Sequence, residues 1–384
     1  MIAQTRTLFF PEDELHRVYL HRFLFRLAMQ SVAMFLPLYI YQLEQSITQV
    51  LVFFIIYLGM FLFSFQTGAI VSRLGFKHTS LIASPLLLIF YLWLRMLDSF
   101  GPEALVVAFI GGLGFNMYWM GMNPEMARTS DSDNRDAETA IFYSLPEAAA
   151  AISPFVGGVL IAWAGFPVLF IAAAVTMFLS FLPLLKTDEY YDGMDDTARS
   201  FFSKKYLGDI IMFCFQGLQY NAKLVFWPLT LAVVIGGSVN IGGAGSLMAV
   251  GSMIASLTIG KLLDENSRPW IMGVGAGILV LSWAGMAVVT SPLFAFAVSF
   301  VAGSMIFAID IPVYSLALDR AEESDIIEYL ALREVMLAVG RLIGLVGALV
   351  ALRYVAPGQL IPVLFGLVAV GTLGTLGVFR TITS

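Results

Sequence analysis

Apolar runs long enough to cross a lipid bilayer recur along almost the whole 384-residue chain, and they constrain its fold more than any other feature. A spanning helix needs about 20 consecutive apolar residues, within a range of roughly 17–25. Twelve runs qualify, at 18–41, 47–71, 79–98, 103–126, 138–162 and 166–186, and again at 206–234, 241–263, 270–290, 293–317, 327–353 and 358–380. Inside hydrocarbon, every backbone N–H and C=O must be satisfied within a helix or a closed barrel. Barrel strands alternate polar and apolar residues over about ten positions. These runs are continuously apolar, so they read as helices. Charged residues make up 12% of the chain, against about 25% in soluble domains. The expected fold class is an all-α membrane protein with twelve transmembrane helices and the lipid bilayer as its solvent.

The runs also match one another across two halves about 190 residues apart. Pro37 in Phe35-Leu36-Pro37-Leu38 is answered by Pro228 in Phe226-Trp227-Pro228-Leu229. Gly59 and Gly68 are answered by Gly251 and Gly260. Leu145-Pro146-Glu147 is answered by Leu332-Arg333-Glu334, each ten residues ahead of a glycine, Gly157 and Gly344. The match predicts two pseudo-symmetric six-helix bundles, 1–186 and 206–384, joined by a polar linker at 187–205 that reads most simply as a tether. Gly101-Pro102, Gly165-Phe166-Pro167, Gly236-Gly237-Ser238, Ser291-Pro292 and Pro357-Gly358 mark turns between spans.

Lys and Arg placement orients the bundle. With twelve spans, the even-numbered connections and both termini share one side. That side holds fifteen of the 21 basic residues, the other only Arg95 and Arg353, and the last four (Arg26, Lys223, Arg333, Arg341) fall inside spans. Both termini are therefore expected in the cytoplasm, with a bacterial or archaeal cytoplasmic membrane as the location. Residues 1–14 end in Pro11-Glu12-Asp13-Glu14 without a small-residue cleavage site, and no removable signal peptide is expected.

Several functions are disfavoured. The formal charge of −6, with no basic stripe, speaks against nucleic acid. Cys214 is the one cysteine, so no internal disulfide forms. His16, His21 and His78 all fall near the expected cytoplasmic surface and read as interfacial residues, with no metal site or cofactor expected. No HExxH constellation and no phosphate-binding loop occurs. A membrane enzyme and an ATP-driven pump are therefore not favoured.

The connection between the second and third runs reads Gly68-Ala-Ile-Val-Ser72-Arg73-Leu-Gly75-Phe76-Lys77-His78. With the six-plus-six layout it resembles the major facilitator superfamily (MFS) of transporters, whose pattern there is Gly, three residues, Asp, Arg, one residue, Gly, then basic residues. Gly68, Arg73, Gly75 and Lys77 match, while Ser72 and Phe76 depart. The mirrored loop, Gly260-Lys-Leu-Leu-Asp264-Glu265, keeps the Asp and puts Glu265 where the basic residue would stand. The resemblance implies a latch between the halves. A basic loop that serves topology alone fits the same residues. Ser153-Pro154-Phe155-Val156-Gly157-Gly158 is similar to the Gly-Pro-x-x-Gly-Gly signature of exporters in this superfamily. Close helix packing explains the same small residues equally well.

A charge near the bilayer centre costs about 2.5–3.5 kcal/mol on insertion scales, and such residues usually face a cavity or a partner. The candidates are Arg26, Glu147, Lys223, Asp310, Arg333, Glu334 and Arg341. The resemblance implies that spans one, four, seven and ten line a cavity, which places Arg26, Lys223 and Asp310 on it, with Glu147 and Glu334 beside or behind. Glu334, Ala338 and Arg341 share a helix face, as do Glu147, Ala151 and Pro154. Glu147, Glu334, Asp310, Arg26 and Arg341 form the expected proton-coupling or ion-pair set. Low dielectric favours a neutral carboxyl and a nearby Arg favours the anion, so rocking can load or release a proton. Static pairing of Arg26 with Glu147 and of Arg341 with Glu334 is the alternative. Lys223, Asn116, Trp119, Asn123, Gln219, Asn221 and Tyr314 are the expected substrate-cavity residues, with Gln216 and Tyr220 in the same polar cluster of the seventh span.

The function expected is secondary active transport of a small-molecule substrate by alternating access, with proton-coupled export, in a monomer. Uptake or facilitated diffusion of a polar or anionic metabolite is a second reading. A transporter-fold sensor without flux is a third.

Overall fold

The computed structural model describes the backbone of residues 14–128, 135–191, 193–194, 204–262 and 268–383. It describes their side chains except at 15, 123–128, 135–144, 204, 260–262, 268 and 357. Among the described residues twelve helices are long and apolar enough to cross a membrane. They are α1 (His16–Glu44), α2 (Ile47–Leu74), α3 (Phe76–Leu94), α4 (Pro102–Met122), α5 (Leu145–Ala164), α6 (Phe166–Lys186), α7 (Leu207–Ile235), α8 (Ser238–Ile259), α9 (Pro269–Ala287), α10 (Pro292–Glu322), α11 (Ile326–Tyr354) and α12 (Leu360–Thr383). Each coincides with one expected run. α10 continues five residues past 317 to Glu322. Its added turn carries Arg320, whose guanidinium is bound to the fully buried carboxylate of Asp209 on α7.

Local chemistry sets the ends. Ser46, Ser291 and Asp325 accept hydrogen bonds from the backbone N–H three residues on, satisfying one of the free donors at the starts of α2, α10 and α11. Between α2 and α3 the chain turns through a single residue, Gly75, at φ +87°, a region that only glycine enters cheaply.

The two matched prolines both interrupt their helices. α1 breaks into Glu14–Ala33 and Leu36–Glu44, with Phe35 N–H donating to the Val32 carbonyl at 2.8 Å. α7 widens into π turns at Ala222–Phe226 and Leu231–Ile235 on either side of Trp227–Thr230. Proline lacks an N–H and its ring crowds the carbonyl four residues back, so the turn must tighten or widen around it. Lys223 rides on the first π turn.

Packing repeats the sequence symmetry. α1 packs on α5 and α6 as α7 packs on α11 and α12; α3 packs on α4 and α6 as α9 packs on α10 and α12; α2 packs on α4 as α8 packs on α10. Matched glycines sit at matched crossings. A Cβ on Gly157 would meet the Ser31 carbonyl of α1 at 2.5 Å, and one on Gly344 would collide with Asn221 of α7. Contacts between the two sets run along α5 with α8 and α2 with α11.

Candidate functional site

The intramembrane charges converge between the two sets of helices. On one side Arg26 of α1 donates from Nη2 to Glu147 Oε1 of α5 at 2.7 Å, and Glu147 is only 8% exposed. On the other, Asp310 of α10 accepts through one oxygen from Gln216 Nε2 at 3.1 Å and from the Tyr220 hydroxyl at 3.2 Å, both on α7. Gln216, Tyr220 and Lys223 fall on one face of α7 by their spacing. Lys223 lies within electrostatic reach of Asp310, Arg26, Glu147 and Arg341 together, so the two clusters are one constellation.

α11 supplies the rest. Arg333 donates to Glu334 Oε1 at 2.8 Å and stacks over the rings of Tyr314 at 5.0 Å and Phe213 at 5.9 Å. The static alternative pairs Glu334 with Arg341, two turns along the same helix face. The neighbouring Arg333 takes that role instead, held by the Tyr314 ring on which its guanidinium stacks. Arg341 lies over the rings of Tyr220, at 5.6 Å, and of Phe61 on α2, at 5.3 Å. Among the described residues no carboxylate pairs with Arg341 or Lys223, and no group of three or more His, Cys, Asp or Glu could hold a metal ion.

Paired and unpaired charges gathered along a seam between repeated helix sets suit a solute path better than a packed core. Comparison with known proteins agrees. The sequence profile of the Major Facilitator Superfamily matches residues 18–345. The chain belongs to the major facilitator superfamily. It is therefore a membrane transporter rather than an enzyme, and an integral multi-pass membrane protein. No curated protein sequence matches it. Its fold is similar to that of a POT family transporter in complex with 5-aminolevulinic acid (TM-score 0.72, 15% identity, 96% of each chain covered). It is similar also to a bacterial homologue of the iron transporter ferroportin in an outward-facing state (TM-score 0.72, 14% identity, 96% of this chain and 99% of that one). A POT family transporter in complex with a thioalcohol-conjugated peptide aligns as well (TM-score 0.73, 14% identity, 96% of each chain).

The remaining expected cavity residues divide. Asn116, fully buried, donates to Ser64 Oγ at 2.7 Å and accepts from Thr67 Oγ1 at 2.5 Å, so its amide joins α4 to α2. Trp119 is half-buried with its edge against Phe25 and Tyr118. Asn221 donates to the Arg341 carbonyl at 3.0 Å and faces α11. Gln219 is 2% exposed, its backbone pressed against Gly371 of α12, and both its amide atoms lack a protein partner. Tyr314 underlies Arg333, one turn from Asp310. The Asn123 side chain and Asp264 lie outside the described residues.

At the α2–α3 turn, Gly68 allows α11 to approach: a Cβ there would stand 3.1 Å from Ile327 Cγ2. Val71, Phe76, Met120, Ile327 and Ala331 form a fully buried apolar cluster at this end, with Tyr190 and Met194 packed on it. Ser72 donates to the Ala69 carbonyl within its own helix, and Arg73 is exposed. The work of holding the turn passes to the chain after α6. Glu189 accepts from the backbone N–H of Lys77 at 2.9 Å and of His78 at 3.1 Å and pairs with the His78 ring, while Lys77 Nζ donates to the Thr187 carbonyl at 2.6 Å. The first residues of the expected tether are thus docked. Gly260 lies two residues before the end of the helix Ser238–Leu262, where the side chains are outside the described residues.

Pro154, Gly157 and Gly158 meet α1 and α8: Gly158 abuts the Ser238 backbone, and Ser238 Oγ donates to the Gly158 carbonyl at 2.8 Å. Close approach accounts for these small residues. Two groups departed from the sequence reading. His21 is fully buried rather than interfacial, with Nδ1 2.7 Å from the Ser180 carbonyl and Nε2 3.0 Å from the Tyr118 hydroxyl, because α4 and α6 close over it. The pairing of Asp209 with Arg320 was not foreseen, since Arg320 lay past the expected span end.

Proposed function

We propose that the protein is a proton-coupled secondary transporter that exports a small organic solute as a monomer, by rocking residues 1–186 against 206–384 with both termini in the cytoplasm. The observation that carries this reading is the place of Arg341, over the Phe61 ring from residues 1–186 and over the Tyr220 ring from residues 206–384, where Lys223 and Asp310 also meet Tyr220. Any relative movement of the halves changes the field at each of these groups. The coupling carboxylate is Glu147. Its ionic partner Arg26 belongs to the same half, so rocking acts on the pair by changing its distance from the cations of the other half, Lys223 and Arg341, whose withdrawal favours a proton on the carboxylate. Glu334, Asp310 and the Arg341 pole complete the exchange set. Gly68, Gly75 and Lys77 form the gate at the basic end. Export as the direction rests on the likeness of Ser153-Pro154-Phe155-Val156-Gly157-Gly158 to the exporter signature.

The test uses proteoliposomes that contain a pH-reporting dye, challenged with a panel of small organic acids, amines and neutral solutes. At least one solute is expected to move protons in the opposite sense. Glu147→Gln is expected to abolish gradient-driven accumulation and keep solute–solute exchange. If flux ignores the pH gradient and Glu147→Gln is silent, the coupling assignment is wrong.

A further inference from the structure

We infer that the transported solute is a small organic anion, held by a carboxylate-like head on the Arg341 guanidinium beside Lys223. The inference rests on the transport reading above and names the substrate class of the same site.

The charge inventory leads to it. The constellation holds four cations (Arg26, Lys223, Arg333, Arg341) and three carboxylates (Glu147, Asp310, Glu334). Arg26 is paired with Glu147 and Arg333 with Glu334. The Asp310 oxygen that makes contacts is occupied by two neutral donors, Gln216 and Tyr220. Lys223 and Arg341 are left. Both lie against the same Tyr220 ring, Lys223 Nζ at 5.1 Å from its centroid and Arg341 Cζ at 5.6 Å. Among the described residues neither forms an ion pair. Arg341 is 8% exposed, and its Nε has no protein partner. Burial of an ion that no carboxylate contacts directly is unfavourable, and two like charges at one ring add to it.

One added anion brings the constellation to neutrality. A cation or a second base would worsen the surplus, which is selection by repulsion as well as by attraction. The guanidinium presents parallel N–H donors that match a pair of carboxylate oxygens, a fit that an ammonium lacks. The walls beside it are the Phe61 and Tyr220 rings, so the body of the solute is apolar or aromatic. Phe61 belongs to α2 and Tyr220 to α7, on opposite sides of the seam. A bound anion therefore touches both halves and gains different contacts as they move, which a ligand must do to bias a conformational equilibrium.

The experiment is a thermal-shift titration of the full-length protein in detergent with size-matched series: aryl and alkyl carboxylates, the corresponding amines, and the corresponding alcohols. Saturable stabilisation by carboxylates alone is expected. Arg341→Gln is expected to weaken it about ten- to hundredfold, the loss typical of one charge-assisted bidentate contact, with Arg341→Lys between. Lys223→Gln, followed by gel filtration like the others, gives a second reading should Arg341→Gln fold poorly. Stabilisation by amines or alcohols in preference to carboxylates overturns the inference. So does carboxylate binding that both Arg341→Gln and Lys223→Gln leave unchanged, or no carboxylate response at all. Carboxylate binding without flux would instead overturn the transport reading and leave this site standing. Amine-driven flux lost in Glu147→Gln would do the reverse.

Discussion

Arg26 and Glu147 form an ion pair at 2.7 Å, with side-chain exposures of 20% and 11%. Removal of one partner from such a pair strands the other charge in low dielectric and typically costs about 3–5 kcal/mol. Replacement of both by apolar residues of similar volume is typically neutral or slightly stabilising. Arg26→Met alone and Glu147→Leu alone should therefore each destabilise by about 3 kcal/mol or more, with Glu147→Leu the worse because Glu147 left alone can take up a proton whereas the Arg26 guanidinium cannot lose one. The double substitution should return to within about 1–2 kcal/mol of the parent, a coupling far above the roughly 0.5 kcal/mol expected of independent sites. Unfolding in mixed micelles, followed by tryptophan fluorescence against detergent composition, measures the three differences. If the double variant loses the sum of the two singles, the pair is not the buried unit described here, and the coupling role assigned to Glu147 loses its structural basis.

Three further outcomes follow from the same reasoning. Gly340→Ala would place a Cβ against the Cys214 carbonyl and should cost about 1–3 kcal/mol, while Gly377→Ala, with open space around it, should be close to neutral; the monodisperse fraction by gel filtration compares them. Glu189→Gln should loosen the first turn of α3 by about 0.5–2 kcal/mol, read as faster hydrogen exchange at Lys77 and His78, with exchange at the start of α10 unchanged. Asp209→Asn leaves Arg320 without its counter-charge and should destabilise by several kcal/mol, which Arg320→Gln in the same chain should largely restore; unchanged stability of Asp209→Asn would show the pair to be dispensable.

The spans and the symmetry could be read from sequence because both are local or repeated. Continuous apolarity marks each helix, and Pro37 with Pro228 or Gly157 with Gly344 marks equivalent places in a duplicated packing scheme. Partner choice could not be read, because periodicity says which residues share a face and not what that face meets. Glu334 shares a face with Arg341, yet its neighbour Arg333 reaches it. Gln216, Tyr220 and Lys223 recur at one face of α7, and that spacing could have ranked Gln216 and Tyr220 above Gln219 and Asn221. His21 and Glu189 depended on chain more than 100 residues away in sequence, Ser180 and the Lys77 turn respectively. No local pattern carries such a pairing.

The apolar cluster around Gly68 has a thermodynamic consequence. Val71, Phe76 and Met120 from one half close on Ile327 and Ala331 from the other, and Tyr190 and Met194 cover the joint. Separation of the halves at this end would wet side chains that are now dry. Hydration of apolar surface raises heat capacity. On the rocking mechanism proposed above, the free-energy difference between the two access states would then curve with temperature, and cooling should weaken the grip at this end. A carrier that rocks in this way would have its resting orientation set by the warmth of its membrane as well as by its solute.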